Sequence, residues 1–254
     1  MTTEYQGRIE IEPVQIGEIE PGRRGFLGIM TAAVAGSGLS WIALARAPDA
    51  PVDDKSRWGI LIDATKCPAD CTACVTACNA ENALLGHNRP TSDAQWLRKV
   101  QLKDKATGRT LSLPVGCQHC KSPPCVDVCP TGASFRRADG IVLVDKHICI
   151  GCRYCMMACP YKARSFGHEE THGQKPHSPR GKGTVEACTL CVHRVDAGQN
   201  PACVDACQQK GHGAMIFGDL NDPNSPIAKR LATEPSTQLR EVLNLNTGVR
   251  YQGL

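Results

Sequence analysis

The sequence predicts an α+β protein built from small antiparallel sheets, short helices and long loops. Three observations carry this expectation. Sixteen cysteines fall into four groups of four, with none left over. Short apolar runs of strand character stand before the groups, and a proline follows the last cysteine of two of them. Only 4% of the 254 residues are aromatic. A chain so poor in large side chains has a small conventional core, and bound inorganic centres would supply the missing cross-links, because ligation of the folded state is folding free energy.

Taken in order, residues 1–22 are polar and acidic. Gly22-Arg23-Arg24-Gly25-Phe26-Leu27-Gly28 then leads into an apolar run, Phe26–Ala45, which resembles a twin-arginine export signal. Ala45-Arg46-Ala47 has the small-x-small form of a processing site, but Pro48 would follow the cut; Ala43-Leu44-Ala45 is a second option. Left uncut, a run of about 20 residues just spans a bilayer. Residues 1–47 are therefore expected to be a signal or a retained membrane anchor.

From Arg57 a unit of strand, cysteine loop and short helix recurs. Trp58–Asp63 reads as a strand, with Cys67 four residues beyond it, and Ile141–Asp145 stands in the same relation to Cys149. Leu111–Val115 precedes Cys117, and Ala214–Phe217 follows Cys207 as a further strand. Asp139-Gly140 is expected to turn a hairpin between Ala133–Phe135 and Ile141–Val144, since both residues tolerate positive φ. Pro130 and Pro160 are expected to end short helices. Residues 168–184 form a polar insertion rich in Gly and Pro, either a solvated loop or a docking surface. Beyond Pro223 the sequence predicts one short helix, Ile227–Ala232, and then an extended tail (221–254) laid against a neighbouring subunit.

The groups are Cys67, Cys71, Cys74, Cys78; Cys117, Cys120, Cys125, Cys129; Cys149, Cys152, Cys155, Cys159; and Cys188, Cys191, Cys203, Cys207. Four thiolates hold one [4Fe–4S] cluster, so the count predicts four clusters. The third group, Cys149-x2-Cys152-x2-Cys155-x3-Cys159-Pro160, is the bacterial two-cluster ferredoxin run in full, in which the fourth cysteine ligates the other cluster. Groups therefore pair, giving two pseudo-symmetric, two-cluster ferredoxin-like modules. The second group is a stretched version ending in Pro130, the first has one extra residue in its opening gap, and the fourth carries an eleven-residue insertion. Disulfides fit poorly with recurrent C-x2-C pairs. Zinc sites more often join two separated pairs than four cysteines packed within eleven residues. His119, His147 and His193 lie within two residues of cysteines, but four thiolates per group leave them hydrogen-bonding or tuning roles. Tyr154 and Tyr161 are candidates for packing near a cluster. The net charge of +4 balances anionic clusters more naturally than it binds nucleic acid, since no basic run interleaves with aromatics. No nucleophile–base pair or phosphate loop stands out. The expected role is electron transfer without substrate chemistry.

Four such groups in this order resemble the four-cluster iron–sulfur subunits of the molybdopterin oxidoreductase superfamily, over roughly residues 57–220. The resemblance implies that the outer groups pair and the inner groups pair. Cys67, Cys71, Cys74 and Cys207 would hold one cluster, and Cys188, Cys191, Cys203 and Cys78 the second. Cys117, Cys120, Cys125 and Cys159 would hold the third, and Cys149, Cys152, Cys155 and Cys129 the fourth. Residues 57–112 with 181–220 would form the outer module and 113–180 the inner one. The leader, the Cys67–Cys78 spacing, Phe217-Gly218-Asp219-Leu220-Asn221-Asp222-Pro223 and the ending Gly248–Leu254 are similar to the periplasmic O-type subunits of Dsr membrane complexes of dissimilatory sulfur metabolism. That narrower resemblance implies a multi-span quinone-interacting membrane partner, a multiheme cytochrome c nearby, and a place on the periplasmic face of the cytoplasmic membrane. The Phe-Gly-Asp-Leu stretch also occurs in sibling subunits of polysulfide, tetrathionate and nitrite reductases, which keeps a molybdopterin reductase as the alternative.

Overall fold

An apolar run that stops at an aspartate sets the first element: Trp58–Asp63 forms strand β1, buried along nearly its whole length. The computed structural model describes residues 52–89 and 91–254. The twin-arginine segment, the apolar run Phe26–Ala45 and both processing options lie outside the described residues. Helix α1 (Ala73–Glu81) follows, then strands β2 (Leu97–Lys103) and β3 (Thr110–Gly116), and helix α2 (Pro124–Asp127). Strands β4 (Ser134–Arg136) and β5 (Val142–Val144), helix α3 (Tyr154–Ala158), and strands β6 (Arg164–Phe166) and β7 (Val185–Ala187) come next. Helices α4 (Val192–Asp196) and α5 (Ala202–Gln209), strand β8 (Met215–Asp219), helix α6 (Pro226–Thr233) and strand β9 (Val249–Gln252) complete the order.

The α+β class is borne out. Three two-stranded antiparallel ladders, β2–β3, β4–β5 and β6–β7, accompany one three-stranded sheet in the order β8-β1-β9. The β6–β7 ladder joins residues 164–166 to 185–187 across the insertion. The β4–β5 hairpin forms as expected, with one difference at its turn. Gly140 takes a positive φ of 89° but Asp139 does not. The Asp139 carboxylate instead accepts from Arg137 (Nε, 3.0 Å) and from the Ile141 N–H (3.4 Å), so it holds the turn by its side chain. Helix α2 ends at its C-cap Val128, two residues before Pro130, and α3 at its C-cap Cys159, immediately before Pro160, so neither proline lies within a helix.

The tail departs from expectation. Its helix is α6, capped by the Ser225 hydroxyl, which accepts from the Ala228 N–H at 3.1 Å. The last strand packs on the chain's own core. Strand β9 pairs parallel with β1, in the register Ile60↔Val249 and Ile62↔Tyr251. The reason is that β1 is apolar on both faces and pairs with β8 along only one edge, so its other edge needs a partner. Gly59 permits the approach: a Cβ there would lie 2.5 Å from the Gly248 carbonyl oxygen. Tyr251 is fully buried, donates to the Pro114 carbonyl (3.3 Å) and accepts from Gln118 Nε2 (3.2 Å). Tyr251→Ala is expected to cost about 3–5 kcal/mol, in the range of large aromatic truncations in a core. The measurement is the urea concentration at which the visible absorbance bleaches. An unchanged midpoint would show that the tail is a passenger on the core.

Candidate metal centres

The structure brings the sixteen thiols into four sets, each drawn from two groups. Cys67 follows a short 3-10 turn, Ala64–Lys66, whose start is capped by Asp63 accepting from the Thr65 N–H at 3.1 Å. Cys71 and Cys74 lead into α1, and Cys207 arrives from α5. Burial, with Cys71 and Cys207 close by, raises the Cys67 pKa, and burial followed by Cys67, Cys207 and Cys71 pushes Cys74 up to about 11. The Lys99 ammonium on β2 donates to the carbonyls of Pro68 and Cys71, which clamps the long opening gap of the first group.

Cys78 at the far end of α1 faces Cys188, Cys191 and Cys203. Burial first, then the neighbouring Cys191, pushes Cys78 up to about 12, while desolvation and the neighbouring thiolates push Cys188 and Cys203 well above the ordinary thiol range. Leu190 and Cys191 are both left-handed (φ 56° and 48°), and the Leu190 N–H points at Cys188 Sγ at 3.4 Å. Successive amides in such a turn make an anion-holding concavity.

The third set is Cys117, Cys120, Cys125 and Cys159, which line one cavity with Tyr161 and Arg164. Burial and the neighbouring thiolates push Cys120 up to about 12. The fourth set, Cys129, Cys149, Cys152 and Cys155, lines another cavity. The Ser134 N–H donates to Cys129 Sγ at 3.3 Å and the Val185 N–H to Cys149 Sγ at 3.4 Å. Burial raises Cys129, but these and other local hydrogen bonds outweigh it and leave the thiol below its ordinary pKa.

The crossing of groups follows from two helix pairs. Helices α1 and α5 pack together; Cys74 meets Cys207 and Cys78 meets Cys203, so the pair runs antiparallel. Helices α2 and α3 repeat the device, with Cys125 meeting Cys159 and Cys129 meeting Cys155. Cysteines four apart on one helix are separated by about 6 Å along its axis, so α1 and α5 each step from one set to the next, and α2 and α3 do so with the turn that follows them. The sets also stand in series, each near enough to the next for its thiolates to act on it electrostatically. Cys74 influences Cys203, Cys117 influences Cys188, and Cys155 influences Cys125, which orders the four sets in a line.

The donor sets suit iron–sulfur clusters. No two of the sixteen cysteines are joined as a disulfide. Thiolates crowded in buried sites repel one another, and bound iron offsets that by holding them deprotonated. Buried donors without protein partners stand beside them. His119 Nδ1 accepts from the Val142 N–H at 3.1 Å, so its proton sits on Nε2, which is buried and unpartnered. Burial drops the His119 pKa to about 4, so the ring is neutral. Arg164 gives one nitrogen, Nη2, to Cys125 Sγ (3.0 Å) and Ser134 Oγ (2.7 Å), while its Nη1 is buried and unpartnered. Such orphans match the acceptors that inorganic sulfide provides.

The other singled-out residues divide. Tyr161 is buried against the third set and donates to the Leu239 carbonyl at 3.1 Å, whereas Tyr154 is 63% exposed. His147 is exposed, and His193 turns to Glu81. Nothing in the sequence marks Arg164 and Lys99 for the centres; each is one of 29 basic residues with no local pattern to single it out.

Residues 109–220 match the 4Fe-4S dicluster domain family. The chain is 41% identical to the Hdr-like menaquinol oxidoreductase iron-sulfur subunit 1 of Archaeoglobus fulgidus, over 91% of this chain and 98% of that protein. It is 38% identical to the B subunit of tetrathionate reductase from Salmonella typhimurium, over 84% of this chain and 80% of that one. Protein NrfC of Escherichia coli is 38% identical over 74% and 76%. Sixteen cysteines gathered four by four, and relatives matched over most of their length, place this chain among the 4Fe–4S dicluster ferredoxin-type iron–sulfur subunits, the electron-transferring members of oxidoreductase complexes, with sites for four [4Fe–4S] clusters.

Proposed function

We propose that this chain relays single electrons between a quinone-interacting, multi-span membrane subunit and a second redox subunit, in a Dsr-type complex of sulfur metabolism at the periplasmic face. The observation that carries the relay is the serial electrostatic proximity of the four thiolate sets. In this reading the ligands are the four observed sets: Cys67, Cys71, Cys74 and Cys207; Cys78, Cys188, Cys191 and Cys203; Cys117, Cys120, Cys125 and Cys159; and Cys129, Cys149, Cys152 and Cys155. A bound [4Fe–4S] cluster takes up and releases one electron. The chain fixes the spacing within each helix pair, shields the second set by burying Cys78, Cys191 and Cys203, and aims N–H donors at the thiolates.

One end of the line is suited to a partner. Cys152 is exposed, Ile150 on the same cavity is 67% exposed, and Met157 on the following helix α3 is 75% exposed. Exposed apolar side chains gathered around a ligand mark an interaction surface. Among the described residues no helix is long and apolar enough to cross a membrane, so attachment rests on this docking and on the segment 1–47. The twin-arginine motif supports export after cluster insertion.

The test is purification of the tagged chain from native membranes in mild detergent. A multi-span subunit and a haem-staining cytochrome are expected, with quinol reducing the clusters. A second reading is favoured by the likeness to the tetrathionate reductase protein: the partner would then be a molybdopterin subunit. Recovery of that subunit, without a cytochrome, overturns the Dsr-type assignment. Protease treatment of spheroplasts checks the location, since a protected chain contradicts the periplasmic side.

A further inference from the structure

Outside the sulfur sets, three side chains from distant parts of the chain converge. Glu81 is the last residue of α1, His193 is on α4, and His177 comes from the 168–184 insertion. His193 Nε2 lies 2.7 Å from Glu81 Oε1, and the His177 and His193 rings stack with centroids 3.7 Å apart. One ligand-type atom from each residue lies within 4.8 Å of the others. We propose that Glu81, His177 and His193 form a binding site for a divalent transition-metal ion of the zinc class, separate from the iron–sulfur centres.

The donor set is two imidazoles and one carboxylate, which matches three-ligand zinc sites that keep a fourth position for water. The surroundings support the ligands as metal sites require. His177 Nε2 faces the Glu81 carbonyl oxygen at 3.0 Å. A carbonyl has no proton to give, so Nε2 donates, and in the neutral ring Nδ1 keeps its lone pair. A ligating histidine characteristically anchors its other nitrogen in this way. The second carboxylate oxygen of Glu81 is held at 3.5 Å by Arg194 Nη1. Arg194 is itself fixed from the far side, by Asp205 (Nη2, 2.5 Å) and the Asn200 carbonyl (Nε, 2.7 Å). Glu81 is thus turned with one oxygen toward the histidines. His177 is exposed, so an ion can reach it from solvent while Nε2 stays on the Glu81 carbonyl. Binding would pin the insertion to α1 and α4, beside the set that contains Cys78 and Cys191, and would add positive charge there.

The test uses the full-length protein, purified anaerobically with its clusters, treated with EDTA and desalted. Zinc is titrated by calorimetry while iron and zinc are counted per chain. One zinc per chain is expected with iron unchanged. His177→Ala, at an exposed position that leaves the core intact, is expected to weaken binding at least about tenfold, the scale on which even supporting partners of metal ligands act. Cu2+ loaded into the oxidised protein should give an EPR spectrum with splitting from two imidazole nitrogens. Equal zinc affinity in wild type and His177→Ala overturns the site. So does zinc uptake matched by lost iron, which means entry into the thiolate sets. Iron content reports on the clusters independently, so a failure of the iron–sulfur reading is distinguished from a failure of this one.

Discussion

Cys78→Ala removes the cluster associated with Cys188, Cys191 and Cys203, and leaves the cluster of its own sequence neighbours in place. Cys78 is separated from those three cysteines by more than a hundred residues of chain, yet its thiol faces theirs. Cys74, one helical turn earlier, faces Cys67, Cys71 and Cys207 instead. The Asn82 side chain holds Cys78 in place, donating from Nδ2 to its carbonyl at 3.0 Å. A missing thiolate leaves one iron without its protein ligand, and the expected result is loss of one EPR signal of four, with iron falling by about a quarter or conversion of that cluster to a three-iron form. The signal lost should be the one that Cys203→Ala also removes. Loss of the signal shared with Cys71→Ala would mean that groups keep their own clusters.

Arg164→Met lowers the potentials of two clusters at once. The guanidinium is buried between the inner sets; it donates to Cys125 and is influenced by Cys117, Cys125 and Cys155. Burial works against its charge, but those thiolates more than compensate and keep it protonated. A fixed positive charge favours the reduced, more negative state of a neighbouring centre. A hydrogen bond to a charged group is worth about 1.5–3 kcal/mol. If half of that distinguishes the oxidation states, the potential falls by about 30–60 mV for a one-electron couple. EPR-monitored titration should show the drop in the two inner signals and none in the outer two, with Arg164→Lys recovering part of it. Unchanged inner potentials would reduce Arg164 to a packing residue.

Strand β1 is legible in the sequence because an uninterrupted apolar run ends in an aspartate, and β8 and α6 because similar local patterns mark them. Other elements carry no such mark. Strand β2 reads Leu-Arg-Lys-Val-Gln-Leu-Lys and becomes a strand through its pairing with β3. Strand β9 is four residues long, and only the open edge of β1 gives it a reason to form. The cysteine spacing announces cluster chemistry, whereas the contacts of Lys99 and Arg164 depend on residues about thirty or more positions away, which spacing does not encode. His193 stands near Cys191 in sequence, but its side chain turns toward Glu81 and His177.

The two antiparallel helix pairs have an evolutionary consequence. Within each helix pair, neighbouring centres are bridged by single helical turns, and a helical turn has a fixed rise. The separation that governs how fast an electron hops is thereby insulated from everything else the chain does. The insertion at 168–184 lies outside both helix pairs, so it can lengthen, shorten or acquire new surface chemistry without changing the helical rise within either pair. A lineage can thus be refitted for different partners by rewriting its loops while the conducting spine keeps its gauge.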